Sequence, residues 1–202
     1  MIRKEFEILS AEFDYILSPD SEVVKLADGL QFTEGPVWVD SGDHLLFSDI
    51  PADQIKRWSP HDGLSTMRMP SWGANGNALD HHGRLVTCEH GKRRVSLTEL
   101  DGTVVTLADT YQGARLNSPN DLVVKMDGSI WFTDPPYGIV PEQVEQTANY
   151  VFRLDPATQV LTPAVEDCIR PNGLCFSPEE KRLYVADSSA ERHHIRVFDV
   201  SR

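Results

Sequence analysis

One motif recurs along this chain at a spacing that few folds can accommodate. EGPVWVDSGDHLLFSDI begins at Glu34, NALDHHGRLVTCEH at Asn77, NDLVVKMDGSIWFTDP at Asn120 and NGLCFSPEEKRLYVADS at Asn172, with steps of 43, 43 and 52 residues. Each copy opens on a polar residue, and three of the four continue with Gly or Asp. A short apolar strand follows, then a turn rich in Asp, Gly, Ser or His, a second apolar strand, and an acid at Asp49, Glu89, Asp134 or Asp187. A third strand with alternating polarity comes next, as in Gln54–Trp58, Arg94–Leu97, Asn149–Leu154 and Ile195–Val200. A fourth follows a turn, as in Thr103–Leu107 after Asp101-Gly102. Repeats of roughly 40 to 50 residues with four antiparallel strands each are the blades of a β-propeller, so the fold class is all-β.

The last step is longer because it contains an insertion between Asp134 and Asn149. Helical periodicity is confined to an amphipathic stretch over residues 3–17. No linker divides the chain, and residues 1–202 are read as one propeller domain with an N-terminal segment, 1–21, and blades from about residue 22. The run SEVVKL, around residues 22–27, has the pattern of an outer blade strand with no strands before it, while the last repeat stops after its third. Two readings follow: four blades, one completed by both termini, or the first two thirds of a larger ring.

Composition narrows the partners. Among 202 residues there are 31 acidic and 19 basic side chains, a net charge of -12 that repels phosphate backbones and anionic membranes. No apolar run is long enough to span a bilayer, and the first 14 residues carry six charged side chains where a secretory signal needs an apolar stretch, so a cytoplasmic location is expected. The cysteines, Cys88, Cys168 and Cys175, are too scattered for a disulfide framework or a CxxC metal site and read as buried thiols.

In a propeller the first strand of every blade lines the central channel, so Glu34, Asn77, Asn120 and Asn172 should converge. One carboxylate and several amide oxygens suit a hard cation, Ca²⁺ or Mg²⁺, although an isolated Asn at a strand end also serves simply to bond a turn. The acids Asp49, Glu89, Asp134 and Asp187 lie near the channel mouth and could act as ligands, bases or acceptors for a loop amide. His90 has the chemistry for a substrate contact or for proton transfer, and equally for holding a loop. His81-His82 and His193-His194 are expected in solvent. The tryptophans Trp38, Trp58, Trp72 and Trp131 are expected between blades, with Trp72 also placed to wall a pocket from its loop. No G-x-S-x-G, Walker, H-E-x-x-H or G-x-G-x-x-G motif is present.

Phe32–Trp38, Cys88–Gly91 with Arg93–Val95, Leu116–Asp121, Trp131–Gly138 and Pro171–Leu174 together resemble, in order, the gluconolactonase, senescence-marker and luciferin-regenerating-enzyme family. The resemblance runs from about Asp28 to the end. It implies a six-bladed propeller, about four blades of which are represented here, with one divalent metal in the channel. Ca²⁺ is the first expectation, with Zn²⁺, Mn²⁺ or Mg²⁺ as alternatives. It also implies hydrolysis of sugar lactones to aldonic acids. Carried over by motif, Glu34 and Asn172 are metal ligands, and Asn120 contacts metal or substrate. Asn120, His90 and Asn77 form the expected substrate-binding set. The family's remaining ligand and favoured base, an aspartate in a Pro-Asp-Gly motif, does not occur in this chain. It is expected beyond Arg202, leaving Asp187 or Asp134 as substitutes. The competing expectation is a noncatalytic or truncated propeller that binds a partner or self-associates through exposed blade edges.

Overall fold

Strand alternation of two, broken by tight turns, produces a run of antiparallel sheets in the computed structural model, which describes residues 9–18 and 21–200. Blade 1 consists of β1 (Thr33–Val39), β2 (His44–Asp49), β3 (Gln54–Ser59) and β4 (Gly63–Arg68). Blade 2 consists of β5 (Ala74–Leu79), β6 (Leu85–Glu89), β7 (Arg94–Thr98) and β8 (Val104–Ala108). A small hairpin that the repeat pattern does not anticipate, β9 (Thr110–Tyr111) with β10 (Ala114–Arg115), follows it. Blade 3 has β11 (Leu122–Val124), β12 (Ile130–Thr133), β13 (Val151–Asp155) and β14 (Val160–Val165), with the inserted loop between its second and third strands. Blade 4 has three strands, β15 (Pro171–Phe176), β16 (Arg182–Ser188) and β17 (His193–Asp199). Within every sheet the strands lie side by side in chain order, the up-and-down meander of a propeller blade.

The core lies between blades, because each sheet has two faces to cover. Leu46 and Ile55 of blade 1 pack with Ala74 and Leu85 of blade 2. Val86, Val95 and Leu97 of blade 2 meet Leu122, Phe132 and Phe152 of blade 3. Trp131 and Val151 of blade 3 meet Leu174, Leu183 and Val185 of blade 4, with the Trp131 and Phe176 rings edge to face at 5.4 Å. The propeller architecture anticipated from the repeat is therefore the fold observed.

Several details differ from the sequence reading. The outer strand expected around residues 22–27 is not formed: residues 21–30 carry no strand, and Val23, Val24 and Leu26 are exposed. The blade that such a strand would complete, blade 4, has three strands among the described residues. By packing the chain divides into Met1–Leu30 and Gln31–Arg202. The described part of the first unit has a single 3-10 turn, Ala11–Tyr15, where a longer amphipathic segment over 3–17 is expected; residues 3–8 of that segment lie outside the described residues. Among the described residues no helix is long and apolar enough to cross a membrane.

Only Trp131 of the four tryptophans is buried between blades. Trp38 lies on the other face of blade 1, in a cross-strand row Trp38–Leu45–Trp58–Leu64 that no other blade covers among the described residues, and Trp38 remains 42% exposed. Cys88 and Cys168 are buried as expected, but Cys175 is exposed. It stands beside Tyr184 and Val197 on the face of blade 4 turned away from blade 3, where burial would require a further sheet.

Candidate active site

Strand register decides which polar residue of each blade reaches the channel. In blade 1, Thr33 faces Asp49 and Glu34 faces Ser48, after which an extra residue is inserted before Val37 pairs with Leu46. Blade 2 repeats the pattern with Ala74 facing Glu89 and a shift before Asn77 pairs with Thr87. Blade 4 repeats it with Pro171 facing Asp187 and a shift before Leu174. Such a bulge bends the strand and re-aims its side chains. Counted from the residue opposite the acid, the equivalent openers are Glu34, Asn75 and Asn172. In blade 3 Asn120 takes the same place, its N–H donating to the Thr133 carbonyl at 2.8 Å one residue before Asp134.

The blade 2 opener is thus Asn75, two residues before the expected Asn77. Asn77 is spent inside the protein: its Nδ2 donates to the Gly35 carbonyl at 3.0 Å, Ser48 Oγ at 2.8 Å and the Asn75 carbonyl at 3.0 Å, and its Oδ1 accepts from Thr87 Oγ1 at 2.9 Å. The signal for Asn75 lies in the sequence, since Asn75-Gly76 matches Glu34-Gly35 and Asn172-Gly173 better than Asn77-Ala78 does. The glycines permit the close approach of neighbouring first strands. Gly35 has φ +56, and a Cβ on it would overlap the Asn75 carbonyl; a Cβ on Gly76 would stand 2.6 Å from Asp121 Cα.

Three openers are joined through their amides. Asn75 Nδ2 donates to Asn120 Oδ1 at 2.8 Å, and Asn120 Nδ2 donates to Asn172 Oδ1 at 3.1 Å. Asn75 and Asn120 are each only 5% exposed, whereas Glu34 and Asn172 are half-buried. His90 Nε2 lies 3.1 Å from Asn75 Nδ2. Burial pushes the His90 pKa down to about 4, so the ring is neutral at neutral pH and its Nε2 accepts, which places the proton on Nδ1. Asp121, beside Asn120, has its carboxyl lifted to about 6 by burial, opposed by backbone N–H bonds and reinforced by the charge of Glu34.

The four acids at the ends of the second strands act chiefly as acceptors. Asp49 accepts from the Gln31 and Phe32 N–H groups. Asp187 accepts from Ile169 at 2.8 Å, Arg170 at 2.9 Å and Ser189 at 3.2 Å; burial raises its pKa, and these bonds outweigh it and hold the carboxyl below its usual range. Asp134 Oδ2 accepts from the Asn117 N–H at 2.8 Å, and burial lifts this carboxyl to about 7. Glu89 is fully buried between Arg68 at 3.0 Å, Arg94 at 2.6 Å and Ser96 Oγ at 2.6 Å. The oxygens of Asp187 are therefore occupied by loop amides, and Asp134 is sealed from the channel.

The donor set suits a hard cation. Glu34 offers carboxylate oxygens, Asn120 and Asn172 offer amide oxygens that each also accept from a neighbouring amide, and Asp121 adds a carboxyl close enough to feel the charge of Glu34. No group of three or more His, Cys, Asp or Glu side chains that could hold a metal occurs among the described residues.

Residues 32–202 match the family described as SMP-30/Gluconolactonase/LRE-like region. A gluconolactonase of Zymomonas mobilis is 35% identical over 95% of this chain and 58% of its own length. A lactonohydrolase of Aspergillus oryzae is 35% identical over 47% of this chain and 22% of its own. The solved structure of a Xanthomonas campestris gluconolactonase superposes with a TM-score of 0.85 at 36% identity, covering 91% of this chain and 63% of that one. The chain thus spans about three fifths of the length of the gluconolactonases it matches. The blade register, the convergent openers and a match across most of its length make this chain a member of the SMP-30/gluconolactonase/LRE-like family.

Proposed function

We propose that this chain carries the central site of a metal-dependent hydrolase that opens sugar lactones to aldonic acids in the cytoplasm. The observation that carries the reading is the convergence of Glu34, Asn75, Asn120 and Asn172 at one register position in four successive blades, within a family whose named members include gluconolactonases. Glu34, Asn120 and Asn172 would hold one divalent cation, Ca²⁺ first by the hardness of the donors. When bound, such a cation polarises a carbonyl oxygen and lowers the pKa of water.

The side chains around it have separable tasks. Asn75 fixes the orientation of Asn120 through the amide chain, and Asn120 presents its remaining polarity to substrate. His90, neutral and accepting from Asn75, serves as a substrate contact beside the openers. Asn77 supports the site by tying the Gly35 and Asn75 carbonyls together. Neither Asp134 nor Asp187 is favoured as proton acceptor, because the first is enclosed and the second has both oxygens engaged.

The test is hydrolysis of glucono-1,5-lactone by the purified chain, corrected for spontaneous opening, after chelation and after adding back Ca²⁺, Mn²⁺ or Zn²⁺. Turnover that vanishes with chelation and returns with metal is expected. Turnover indifferent to chelation refutes the metal site; no turnover from a folded, metal-loaded chain refutes the activity.

A specific observation also favours self-association. The Trp38–Leu45–Trp58–Leu64 row on blade 1 and the Ile195 and Val197 side chains on blade 4 leave apolar sheet faces in solvent at both ends of the blade series. Large exposed apolar faces mark interfaces, and a second copy of the chain is the proposed partner. Sedimentation should show an oligomer that Trp38→Glu dissociates; a monodisperse monomer at all concentrations refutes it.

A further inference from the structure

Around the openers, the loops at the same end of blades 1 to 4 present aromatic rings and cations in an unusual pairing. Lys92 Nζ sits 4.1 Å over the Trp72 ring, and the Arg170 guanidinium sits 5.5 Å over the Tyr137 ring. Among the described residues neither cation makes an ion pair, whereas Arg68, Arg93, Arg94 and Arg196 all engage carboxylates. A ring face stabilises a cation without consuming its N–H groups. Lys92 and Arg170 are therefore held in place with donors left to give.

The pairs belong to one continuous rim. The Trp72 carbonyl accepts from Gly91 at 2.9 Å and the Gly73 carbonyl from His90 at 3.0 Å, fastening the Trp72 loop to the His90 loop. Gly138, next to Tyr137, approaches so closely that a Cβ on it would stand 2.6 Å from His90 Cβ. Arg170 precedes Pro171-Asn172, and its own N–H is anchored on Asp187. Trp72 is 44% exposed even with Lys92 seated on it, and its φ of +61 is strained for a bulky aromatic residue. Such strain concentrates at binding and catalytic sites, where surrounding structure enforces it.

We propose that Trp72, Lys92, Tyr137 and Arg170 form the subsite that selects polyhydroxylated lactones over plain alkyl lactones. The Lys92 ammonium, held on the Trp72 ring, and the Arg170 guanidinium, held on the Tyr137 ring, donate to hydroxyl groups distal to the carbonyl. This rests on the lactonase reading for the position of the carbonyl, but its binding step is independent of turnover.

The experiment uses D-glucono-1,5-lactam, which keeps the ring hydroxyls and resists hydrolysis, and δ-valerolactam, which lacks them. Calorimetric titration of the full chain should show the gluconolactam binding, and Lys92→Gln and Arg170→Gln should each weaken it about tenfold, the effect of removing a directed charged donor. Neither variant should change binding of δ-valerolactam relative to wild type by a comparable factor. In kinetics, the ratio of kcat/KM for glucono-1,5-lactone over δ-valerolactone should fall by a similar factor in both variants and in Trp72→Ala. Circular dichroism and urea melts check that each variant is folded, and the two glutamine variants carry the test if Trp72→Ala does not fold. Gluconolactam binding unchanged in both glutamine variants, or absent from the folded wild type, overturns the subsite. Competition by inorganic phosphate with no preference for the hydroxylated lactam also overturns it, because the rim would then be a simple anion site. If the lactam binds and the variants weaken it while no lactone is hydrolysed, the subsite stands and the hydrolase reading fails. Hydrolysis with an unchanged substrate ratio has the opposite meaning.

Discussion

Replacing Gly76 by alanine tests how the blades are brought together at the channel. Gly76 lies on β5, and its N–H donates to the Asn120 carbonyl at 2.8 Å. A Cβ at this position would stand 2.6 Å from Asp121 Cα and 2.7 Å from the Asn120 carbonyl oxygen. Both are backbone neighbours, so relief requires the first strands of blades 2 and 3 to separate by about 1 Å, the gap to ordinary carbon contact. Overpacking of this kind costs about 1–3 kcal/mol, and stretching the Gly76–Asn120 bond adds about 1 kcal/mol. The stiffer unfolded chain offsets about 0.4–1 kcal/mol. The net expectation is a loss of about 2 kcal/mol. Gly83 provides the comparison: it has φ +74 but nothing within 4 Å of an added Cβ, so alanine there carries only left-handed strain of roughly 1–2 kcal/mol, reduced by the same offset. Urea unfolding should show a lower midpoint for Gly76→Ala at unchanged m-value, with the larger loss at Gly76 than at Gly83. Moving the Asn120 backbone should also weaken Ca²⁺ binding in Gly76→Ala and leave it intact in Gly83→Ala. A stability change below about 0.5 kcal/mol at Gly76, or equal metal affinity in the two variants, would refute the close approach of the two strands as the feature that builds the site.

Other substitutions probe separate parts of the structure. Glu34→Gln removes the one carboxylate among the four openers and should lower Ca²⁺ affinity at least about tenfold by calorimetry, since a hard cation loses charge from its ligands; unchanged affinity would remove Glu34 from the ligand set. Asp134 is held protonated in the folded state to about pH 7, above its ordinary value of 3.8, so the native state binds the extra proton between these limits and stability falls as pH rises through the window. Asp134→Asn should abolish that component, visible as a difference of up to about 1.4 kcal/mol per pH unit between the two proteins in urea melts from about pH 4.5 to 7; parallel profiles would contradict it. Glu89→Ala should cost about 3–5 kcal/mol, because it leaves the Arg68 and Arg94 charges without their buried carboxylate, and a small change in the unfolding midpoint would show that solvent reaches the pair.

Blade architecture was legible in the chain because its physical cause is local and repeated. Alternating strands such as Arg94–Leu97, turns such as Asp101-Gly102 and the recurring acids specify a hairpin unit that must stack on its neighbours to bury both faces. The expectation that nucleic acid and anionic membranes are poor partners likewise rests on net charge, which needs no fold to be counted. Glu34, Asn120 and Asn172 were recognisable for the same reason, each standing in a motif at one place in its repeat.

Tertiary structure decided what depends on one-residue offsets and on neighbours distant in sequence. A bulge in the first strand shifts the pairing by one residue, and only the observed register replaces Asn77 by Asn75 in the channel. Both lie on β5 with the same side chain, so spacing alone separates them poorly. The bonds that consume Asp187 and enclose Asp134 come from loops 17 or 18 residues away along the chain. The pairing of Lys92 with Trp72 and Arg170 with Tyr137 arises from loops on different strands and blades, brought together by the closeness of Gly138 to His90 and of the Trp72 carbonyl to Gly91. A sequence specifies which side chains are available and how often they recur. Which of them face one another, and which are already satisfied by protein, is set by packing, because a hydrogen bond or a steric limit of a few ångströms has no counterpart in residue spacing.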